Sequence, residues 1–333
     1  MSDGGGPLRW GVLGVAKILN RLRPAFLASK TARVQAVASR CPDRARAAAR
    51  DLQCETTYGS YDELLADPAV EAVYIPLPNA LHPEWTMKAA ERGKHILCEK
   101  PLCPTAAEAA DVVAYCRARG VRLMEGFMWP HHPRTDRIRQ TIDEGVIGEV
   151  RRVTGTLTFT MDPLDPTNVR MCPDLAGGSL LDVGCYPIAG IRWAMGAEPV
   201  RAFARARHCH GVDVEASGQL LFADDRVATF DCAFTLPYRA WLEVVGTKGT
   251  IRVPRMWAPH RRATWEVEVN GQPLVEHVVE GEDQIVRMLD EFAAAVRDAR
   301  DPRPGPDEAV KTLRVLDALR RSIAEGREVE VCR

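Results

Sequence analysis

The sequence predicts an N-terminal α/β domain with a doubly wound parallel sheet, followed by a C-terminal α+β domain with an open, mostly antiparallel sheet. At 333 residues the chain exceeds the size that a single core usually supports, so two domains are expected. Strand-like and helix-like segments alternate over residues 8–124, which is typical of βαβ units. Between residues 200 and 279, strand signals recur at short intervals without helices, which is typical of an antiparallel sheet.

The first domain contains five predicted strands, each a short apolar run separated from the next by Ala-, Arg- and Glu-rich helical stretches. Such runs predict strands buried on both faces of a parallel sheet. The strands are expected at residues 8–14, 33–39, 72–77, 95–99 and 121–125. Residues 1–7 are expected to form a flexible lead-in, which leaves 8–128 for this domain.

The second domain is predicted to span residues 129–333 and to begin with a helix and a long strand. A buried helix then precedes the strand-rich stretch, and two amphipathic helices end the chain. The predicted elements are a helix at 134–144, a strand at 150–160, the buried helix at 177–196, strands from 200 to 279, and helices at 283–299 and 307–325.

Composition excludes several classes of function. A net charge of -1 with 27% charged residues gives no reason to expect nucleic acid or an anionic membrane as partner. No apolar run approaches the roughly 20 residues that span a bilayer, and the start lacks a secretory hydrophobic region, so a cytoplasmic protein is expected. The ten cysteines include no C-x-x-C pair and are expected to be reduced core residues. The His208-Cys209-His210 triplet lacks a further ligand cluster, so no metal site is predicted.

The turn after the first predicted strand resembles a nucleotide-binding turn. Gly14-Val15-Ala16-Lys17-Ile18-Leu19 stands where a dinucleotide fingerprint would read G-x-G-x-x-G, and only its first glycine is present. Gly14 supplies the tight turn, and Ala16 adds one methyl group where the backbone must approach a pyrophosphate. The following helix offers free N–H groups and a positive dipole end to the phosphates. We therefore predict cofactor contacts from Gly14, Ala16, Lys17 and Ile18.

The end of the second predicted strand indicates which nicotinamide cofactor is used. Proteins that prefer NAD commonly carry Asp or Glu at this position, where it accepts a hydrogen bond from the ribose 2′-hydroxyl. Here the position carries Ser39 and Arg40, with Arg44 close behind. A hydroxyl and forked guanidinium donors suit a phosphate, so NADP is expected over NAD. In the alternative, both arginines are solvated residues at a helix start.

Polar residues also follow the later strands. In HILCEKPL, residues 95–102, an apolar run turns abruptly into Glu99, Lys100 and Pro101. Because proline cannot continue a ladder, Lys100 is expected at the carboxyl end of a strand, where open α/β sheets bind ligands. The alternative is a solvated Glu-Lys pair or ordinary loop chemistry. The cofactor contacts expected along this edge are Leu77, Asn79, His82, Glu99, Lys100, Glu125 and Trp129.

The buried helix of the second domain carries an acid and a phenol. Asp182 and Tyr186 are four residues apart and therefore share one face of the helix. Both need partners, because unpaired burial of a polar group costs free energy. Asp182 could instead satisfy nearby backbone or an arginine such as Arg170 or Arg192.

Lys100 and Tyr186 would form a chemically useful pair. Neither is a base at neutral pH unaided, but a nearby ammonium stabilises a phenolate. Lowering the phenol pKa by about 2 units needs ~2.7 kcal/mol, which one desolvated charge contact can supply. Tyr186 would then exchange the proton of a substrate hydroxyl while a nicotinamide exchanges the hydride, and Asp182 would orient the substrate.

Over nearly its whole length the chain resembles the Gfo/Idh/MocA family, named after glucose-fructose oxidoreductase, inositol dehydrogenase and MocA. The motifs that carry the resemblance are LGVAKI, YIPLPNALH, CEKPL, MEGFMWPHHP and GGSLLDVGCYP. The resemblance implies a Rossmann domain followed by an α+β domain whose open sheet often forms oligomer contacts. A homodimer or homotetramer built through that sheet is therefore expected.

The resemblance also implies roles for individual residues. It places the catalytic lysine at Lys100, an orienting acid at Asp182 and the proton-handling residue at Tyr186. Many members have histidine at this last position and an acid four residues later, whereas this chain has Gly190 there. The tyrosine form resembles the branch that contains dimeric dihydrodiol dehydrogenases and NADP-dependent xylose and glucose dehydrogenases.

These observations lead to an expected function. The chain is expected to transfer a hydride between NADP and a CH–OH or C=O group of a sugar or vicinal diol. Substrate contacts are expected from Lys100, Trp129, His131, Arg170, Asp182 and Tyr186. Two other functions remain open on the same scaffold: a non-catalytic dinucleotide or sugar sensor, and a redox-assisted glycosidase.

Overall fold

The computed structural model describes residues 6–281 and 283–332, and within them the chain forms two compact units. The first unit contains the described residues up to Cys103, together with Ala107–Phe127 and Asp283–Ala309. The second contains Pro104–Ala106, residues 128–281 and the described residues from Val310 onward. Most of the predicted lead-in, residues 1–7, lies outside the described residues.

The strands form one sheet in each unit. Their bounds are β1 Leu8–Leu13, β2 Ala32–Ala38, β3 Thr56–Tyr58, β4 Ala72–Ile75, β5 His95–Cys98, β6 Leu123–Glu125, β7 Val150–Thr160, β8 Arg201–Cys209, β9 Val212–Leu221, β10 Val227–Ala233, β11 Thr235–Gly246, β12 Gly249–Val253, β13 Arg262–Val269, β14 Val275–Glu280 and β15 Val329–Glu330.

The helices accompany these strands in the predicted order. Their bounds are α1 Leu19–Ala28, α2 Pro42–Asp51, α3 Tyr61–Ala66, α4 His82–Glu91, α5 Ala106–Ala118, α6 Pro133–Asp143, α7 Cys185–Met195, α8 Gln284–Arg297 and α9 Asp307–Glu325.

The sheet of the first unit is parallel and doubly wound, as the apolar runs predicted. Its described strands have the order β3-β2-β1-β4-β5-β6, and every pairing between them is parallel. The strand order reverses at β1, which places a topological switch point beside the turn that follows β1. Ligands of open α/β sheets bind outside the carboxyl ends of the strands at such a point.

Helix α8 completes the core of the first unit. The buried Trp10 of β1 packs with its ring centroid 5.8 Å from Phe26 of α1 and 5.1 Å from Phe292 of α8. We expected α8 to belong with residues 129–333, but it packs with the parallel sheet. An amphipathic pattern indicates that a helix has an apolar face, not which core receives that face.

The second unit is built on an open sheet with the order β14-β13-β12-β11-β7-β10-β9-β8-β15. The pair β7 and β10 is parallel, and the other described pairs are antiparallel. Helix α7 packs closely on β7, because a Cβ at Gly155 would lie only 3.0 Å from the Cβ of Pro187. The mostly antiparallel sheet agrees with the prediction.

The buried helix predicted over 177–196 is irregular at its start. Residues Leu180–Gly184 form a single π-helical turn, and α7 begins directly after it at Cys185. Ser179 and the backbone N–H of Leu180 both donate to the Asp213 carboxylate, at 2.7 and 2.6 Å. Asp213 therefore anchors this turn from strand β9. Single π-turns inside helices are frequent at functional sites.

The described residues contain free thiols, and they include neither a cluster of metal-ligating side chains nor a helix able to cross a bilayer. All ten cysteines are free thiols in the described part of the chain, and Cys98, Cys103 and Cys116 are among those that are buried. Among residues 6–281 and 283–332, no group of three His, Cys, Asp or Glu side chains is placed to hold a metal ion. No helix in the same ranges combines the length and apolar character needed to cross a bilayer.

Candidate functional site

The turn after β1 has the backbone of a nucleotide cradle. Gly14 has a φ of +103°, and its N–H donates to the carbonyl of Ala38 at 2.9 Å. A Cβ at Gly14 would lie 2.8 Å from Leu77 Cδ2 and 3.3 Å from the hydroxyl of Tyr61. Only glycine fits this turn, because both its φ and its surroundings exclude a side chain. Ala16, Lys17 and Ile18 follow, and Ile18 leaves the N-terminus of α1 without a side-chain cap.

Arg44 lies beside this turn, as its predicted phosphate role requires. Its guanidinium donates to the carbonyl oxygen of Val15, so α2 reaches the turn that follows β1. The Oγ of Ser39 accepts a hydrogen bond from the N–H of Cys41 at 3.2 Å, which leaves the hydroxyl proton to donate. Ser39 is buried, whereas Arg40 and Arg44 are exposed. The first unit thus presents a hydroxyl donor and two guanidinium groups at the end of β2.

Tyr61 is a candidate that sequence reasoning missed. It is the first residue of α3, and its hydroxyl faces the Gly14 turn. Its ring packs edge-on against Trp85 with centroids 4.9 Å apart, and the Lys88 ammonium lies 4.1 Å from the centroid of Trp85. The predicted contact residue Leu77 also packs against the Gly14 turn. No sequence signal pointed to Tyr61, since it follows β3, a three-residue strand without an apolar run.

His82 is completely buried and faces two backbone carbonyls. Its Nδ1 lies 2.8 Å from the carbonyl oxygen of Pro101, and its Nε2 lies 2.8 Å from that of Leu77. Burial, opposed by the two carbonyls and assisted by the nearby Lys100 charge, lowers the pKa of the imidazole to about 4. A ring with both nitrogens used and no exposed surface does not support the direct cofactor contact predicted for His82. It links the loop after β4 to the loop after β5.

Two glutamates predicted as cofactor contacts support the loop that carries Lys100. Glu99 accepts a hydrogen bond from the Tyr74 hydroxyl at 2.6 Å and another from the Lys100 N–H at 3.3 Å. Glu125 accepts from the Leu102 N–H at 2.8 Å. Lys100 is the second residue after β5 and is half-buried. The structure therefore confirms that Lys100 lies at the carboxyl end of a parallel strand, and both glutamates brace its loop.

In the second unit, Asp182 pairs with Arg170. The Nε of Arg170 donates to Oδ2 of Asp182 at 2.6 Å, and the Asp182 side chain is 13% exposed against 41% for Arg170. The other arginine considered as a partner, Arg192, instead forms an ion pair with Glu198 at 2.6 Å and donates to Thr312. The Asp182 carboxylate, in the middle of the π-turn, is thus held by a half-exposed cation.

Two glycines make this pairing possible. A Cβ at Gly177 would lie 2.5 Å from the carbonyl oxygen of Arg170, and a Cβ at Gly178 would collide with the Asp213 carboxylate. Gly178 also has a φ of +110°, and its N–H donates to the Arg170 carbonyl at 2.9 Å. The glycine pair therefore lets the segment with Arg170 approach the start of the π-turn, which brings Arg170 to Asp182.

Tyr186 lies in the first turn of α7, about one turn after Asp182, and is half-buried. Its ring centroid is 6.0 Å from that of Trp257, which in turn lies 5.6 Å from that of Trp129. Trp129 is 3% exposed and also contacts Trp193. Within the described ranges, no acceptor lies within hydrogen-bonding distance of the Trp129 indole N–H. The phenol therefore stands at one end of a group of aromatic rings.

The remaining predicted contacts have less direct support. Asn79 begins a short 3₁₀ turn after β4 and is half-buried. His131 ends the 3₁₀ turn that begins at Trp129 and is also half-buried. Its neighbour His132 is buried and uses Nδ1 to accept from the Arg134 N–H at 3.1 Å, which caps α6.

The two units offer different chemistry. The first presents the Gly14 turn after β1, a hydroxyl and guanidinium groups after β2, and Lys100 after β5. All three lie at the carboxyl edge of the parallel sheet. This donor set fits a phosphorylated dinucleotide. The second presents a carboxylate held by an arginine and a phenol on the following turn, a donor set that can bind and protonate a hydroxylated or carbonyl compound.

Comparisons with known proteins agree with this division. A family model described as "Oxidoreductase family, NAD-binding Rossmann fold" matches residues 8–127, and one described as "GFO/IDH/MocA C-terminal domain" matches residues 135–252. The chain is 38% identical over 330 residues to D-xylose 1-dehydrogenase (NADP(+)) 2 from Haloferax volcanii. The similarity covers 97% of this chain and 100% of that relative.

Two further similarities extend the range of relatives. The chain is 33% identical over 273 residues to trans-1,2-dihydrobenzene-1,2-diol dehydrogenase from Mus musculus, covering 80% of this chain and 78% of the relative. A crystal structure of a 3-ketoreductase from Actinomadura kijaniata, in complex with NADP and TDP-benzene, has a TM-score of 0.89 and 32% identity. The similarity covers 95% of this chain and 98% of that one.

Proposed function

Because the chain belongs to the Gfo/Idh/MocA oxidoreductase family, we propose that it transfers a hydride between NADP and a carbon–oxygen group of a sugar or vicinal diol. The observation that carries the proposal is how the loop with Lys100 is held at the end of β5. There the loop of one half-buried lysine, Lys100, is fixed by hydrogen bonds of its backbone to the side chains of His82, Glu99 and Glu125. A solvated surface lysine would not need such support.

NADP is the proposed cofactor. When bound, it supplies the nicotinamide carbon that accepts or donates the hydride. Gly14, Ala16, Lys17 and Ile18 would hold the pyrophosphate, with Tyr61 beside them. Ser39, Arg40 and Arg44 would hold the 2′-phosphate, because a hydroxyl and guanidinium groups are suitable donors to an oxyanion. The NADP in the name of the Haloferax relative and in the ketoreductase complex supports this choice.

Three side chains of this chain are proposed to act on the substrate. Tyr186 exchanges a proton with the reacting oxygen, and the Lys100 ammonium stabilises the negative charge that develops on the phenol or on that oxygen. Asp182 accepts a hydrogen bond from a neighbouring hydroxyl and so orients the substrate, while Arg170 holds the carboxylate in place. These roles need a substrate with two adjacent oxygen atoms.

A polyhydroxylated substrate is supported by the names of the relatives. They include a D-xylose dehydrogenase and a dihydrodiol dehydrogenase, whose named substrates share adjacent hydroxyl groups. Trp129 is a proposed substrate contact through its ring. His131 and Arg170 are further proposed contacts.

We also propose that copies of the chain associate through the open sheet of the second unit, as a homodimer or a homotetramer. The family resemblance supports this assembly. Light scattering during gel filtration measures the mass directly, and a monomer at micromolar concentration would contradict the proposal.

The proposed activity is tested with a panel of aldoses, anhydro sugars, keto sugars and cyclic diols. Each compound is assayed with NADP and NAD, or with their reduced forms, by nicotinamide absorbance. We expect turnover with NADP and one substrate class. Lys100→Met and Tyr186→Phe are expected to lower kcat by about 10²- to 10⁴-fold, the usual contribution of general acid–base catalysis, and Tyr186→Phe should leave NADPH affinity unchanged.

Matched variants control for the substitutions themselves. Lys30→Met and Tyr238→Phe alter exposed side chains, one in each unit, and should retain wild-type turnover. Full activity in Lys100→Met or Tyr186→Phe would remove that residue from the proton transfer. Binding of NADPH without turnover of any compound would favour the sensor, and glycoside cleavage without net reduction would favour the glycosidase.

A further inference from the structure

The loop between β12 and β13 is fixed by one buried arginine from α6. Nη1 of Arg134 donates to the carbonyls of Pro254 and Thr264, both at 3.0 Å. Nη2 donates to the carbonyls of Arg255 and Met256, both at 3.1 Å. Three of these charge-assisted hydrogen bonds hold the backbone of the loop, and the fourth, to Thr264, ties the same rigid guanidinium to β13.

Arg134 is an unusual residue to find in such a position. Its side chain is 1% exposed, and burial lowers the pKa of the guanidinium to about 10. In the part of the chain that the structure describes, no carboxylate lies within ion-pair distance of it. Burying a charge is costly unless its donors are satisfied, so the four carbonyls that pair with Nη1 and Nη2 are what make this burial tolerable, while Nε has no partner among the described residues. The loop and the arginine therefore depend on each other.

This loop carries Trp257. The indole N–H of Trp257 donates to the carbonyl oxygen of Thr156 on β7 at 2.8 Å, and the side chain is 3% exposed. The ring centroid lies 6.0 Å from that of Tyr186, and the two planes are inclined by 50°. The ring is thus held from one side by the Arg134 loop and from the other by the sheet, and it packs against the phenol.

Gly190 makes room for this ring. A Cβ at Gly190 would lie 2.5 Å from Cη2 and 2.8 Å from Cζ3 of Trp257. Glycine in a helix interior costs roughly 0.5–1 kcal/mol relative to alanine, so this position sacrifices helix stability. Because Gly190 and Tyr186 are four residues apart on α7, the indole packs on the same stripe of the helix as the phenol.

From these contacts we propose that Trp257 is a positioning residue for Tyr186. The indole, seated over Gly190 and held by Arg134 and Thr156, fixes the orientation of the Tyr186 ring and keeps one of its faces dry. The inference rests on the proposed function only in giving Tyr186 the proton-transfer role. The arrangement of Trp257, Gly190 and Tyr186 is a property of the folded second unit.

The test uses two single variants and their combination in the full chain. Gly190→Ala places a methyl group against the outer ring of the indole and should displace Trp257. Trp257→Phe removes the atoms Cζ3 and Cη2, so the alanine is accommodated when both substitutions are present. Coupled residues give strongly non-additive effects, and we expect the double variant to behave like Trp257→Phe alone rather than like the sum of both.

The primary readout does not depend on turnover. Tyrosine is labelled with ¹³C at Cζ, and the Tyr186 resonance is assigned by its absence in Tyr186→Phe. We expect its chemical shift and its titration midpoint to change in Gly190→Ala and in Trp257→Phe. In the double variant both should return to the Trp257→Phe values. An unchanged Tyr186 resonance in both single variants would overturn the proposal, whatever the activity shows.

Kinetics provide the second readout once a substrate is known. Both single variants should lower kcat by about tenfold or more and shift its pH profile, while KM for NADP stays unchanged. Trp265→Phe is the matched control, because Trp265 is 2% exposed in the same unit but stacks on His277. If Trp265→Phe lowered kcat as much as Trp257→Phe at equal loss of thermal stability, a general structural effect would replace the positioning role.

Discussion

The imidazole of His82 lies 2.8 Å from the carbonyl oxygen of Pro101, the residue that follows Lys100. Its other nitrogen lies 2.8 Å from the carbonyl oxygen of Leu77. A neutral imidazole carries one N–H and can donate to only one of these carbonyls, whereas an imidazolium can donate to both. Complete burial favours the neutral ring and lowers its pKa to about 4.

The lowered pKa of His82 predicts that the stability of the protein depends on pH. The pKa of His82 is about 4 in the folded state and 6.5 in the unfolded chain, so the unfolded state takes up a proton first as the pH falls. His82 therefore lowers the free energy of unfolding as the pH drops from about 6.5 towards 4. The loss is at most about 3 kcal/mol, at ~1.36 kcal/mol per pKa unit.

Urea unfolding of the wild type and His82→Gln at pH 8 and pH 4.5 measures this contribution. We expect the wild type to be the more stable at pH 8, because the buried hydrogen bond is lost in the variant. The difference should shrink at pH 4.5. His210→Gln, an exposed histidine in the second unit, serves as control. A wild-type advantage that is the same at both pH values would contradict a lowered His82 pKa.

The Gly14 turn predicts a loss of cofactor binding on adding one methyl group. In Gly14→Ala, the new Cβ meets Leu77 at 2.8 Å and the Tyr61 hydroxyl at 3.3 Å, in addition to the strain of a φ of +103°. We expect the dissociation constant of NADPH, measured by fluorescence titration, to rise about tenfold or more, which corresponds to about 1.4 kcal/mol.

Gly120→Ala separates crowding from backbone strain. Gly120 belongs to the same unit and has a φ of +68°, but a Cβ there would meet nothing within 4 Å. The strain of a left-handed residue is therefore present without the obstruction. NADPH affinity should be unchanged in this variant. Equal effects of the two substitutions would show that the loss in Gly14→Ala reflects general destabilisation.

The sequence predicted the features that depend on local patterns and missed those that depend on contacts between distant elements. The parallel strands were predictable because buried strands read as short apolar runs. The position of Lys100 was predictable because one such run ends just before it and Pro101 follows it. Strand β3, Thr56–Tyr58, was missed, since its three half-buried residues form no such run. The π-turn before α7 depends on Asp213 in another element, which no local pattern reveals.

The site was predictable where its residues belong to motifs and not where they act through distant contacts. Asp182 and Tyr186 stand out as polar residues in an apolar helix. The ring of Trp257 and the guanidinium of Arg134 are brought to α7 and the β12–β13 loop by tertiary packing alone. Trp257 lies in an irregular segment and Arg134 in the first turn of α6, and no local pattern points to their partners, so these contacts appear only in the structure.

Arg44 predicts the cofactor preference. Its contact with the Val15 carbonyl holds the guanidinium beside the Gly14 turn, and the 2′-phosphate of NADP is proposed to bind to it together with Ser39 and Arg40 at the end of β2. Arg44→Ala should lower kcat/KM for NADP by about tenfold or more, the effect of losing a charge-assisted hydrogen bond, and leave NAD unaffected. Arg46→Ala, which removes an exposed arginine paired with Asp43 on the same helix, is the control. An unchanged ratio of NADP to NAD activity would contradict the phosphate role of Arg44.

The ion pair of Arg170 and Asp182 predicts that changing Asp182 weakens substrate binding and leaves NADPH binding unchanged. Asp182→Asn preserves the shape of the side chain but removes the charge that accepts hydrogen bonds from hydroxyl groups, so KM for the sugar or diol should rise about tenfold or more. The dissociation constant of NADPH should stay at its wild-type value, because Asp182 lies in the other unit from the nucleotide cradle. Glu198→Gln is the matched control, because Glu198 forms an ion pair of the same length, 2.6 Å, with Arg192 of α7. This variant is expected to lower stability without raising KM. If Asp182→Asn changed NADPH binding and substrate KM equally, the carboxylate would serve the fold of the unit rather than the orientation of the substrate.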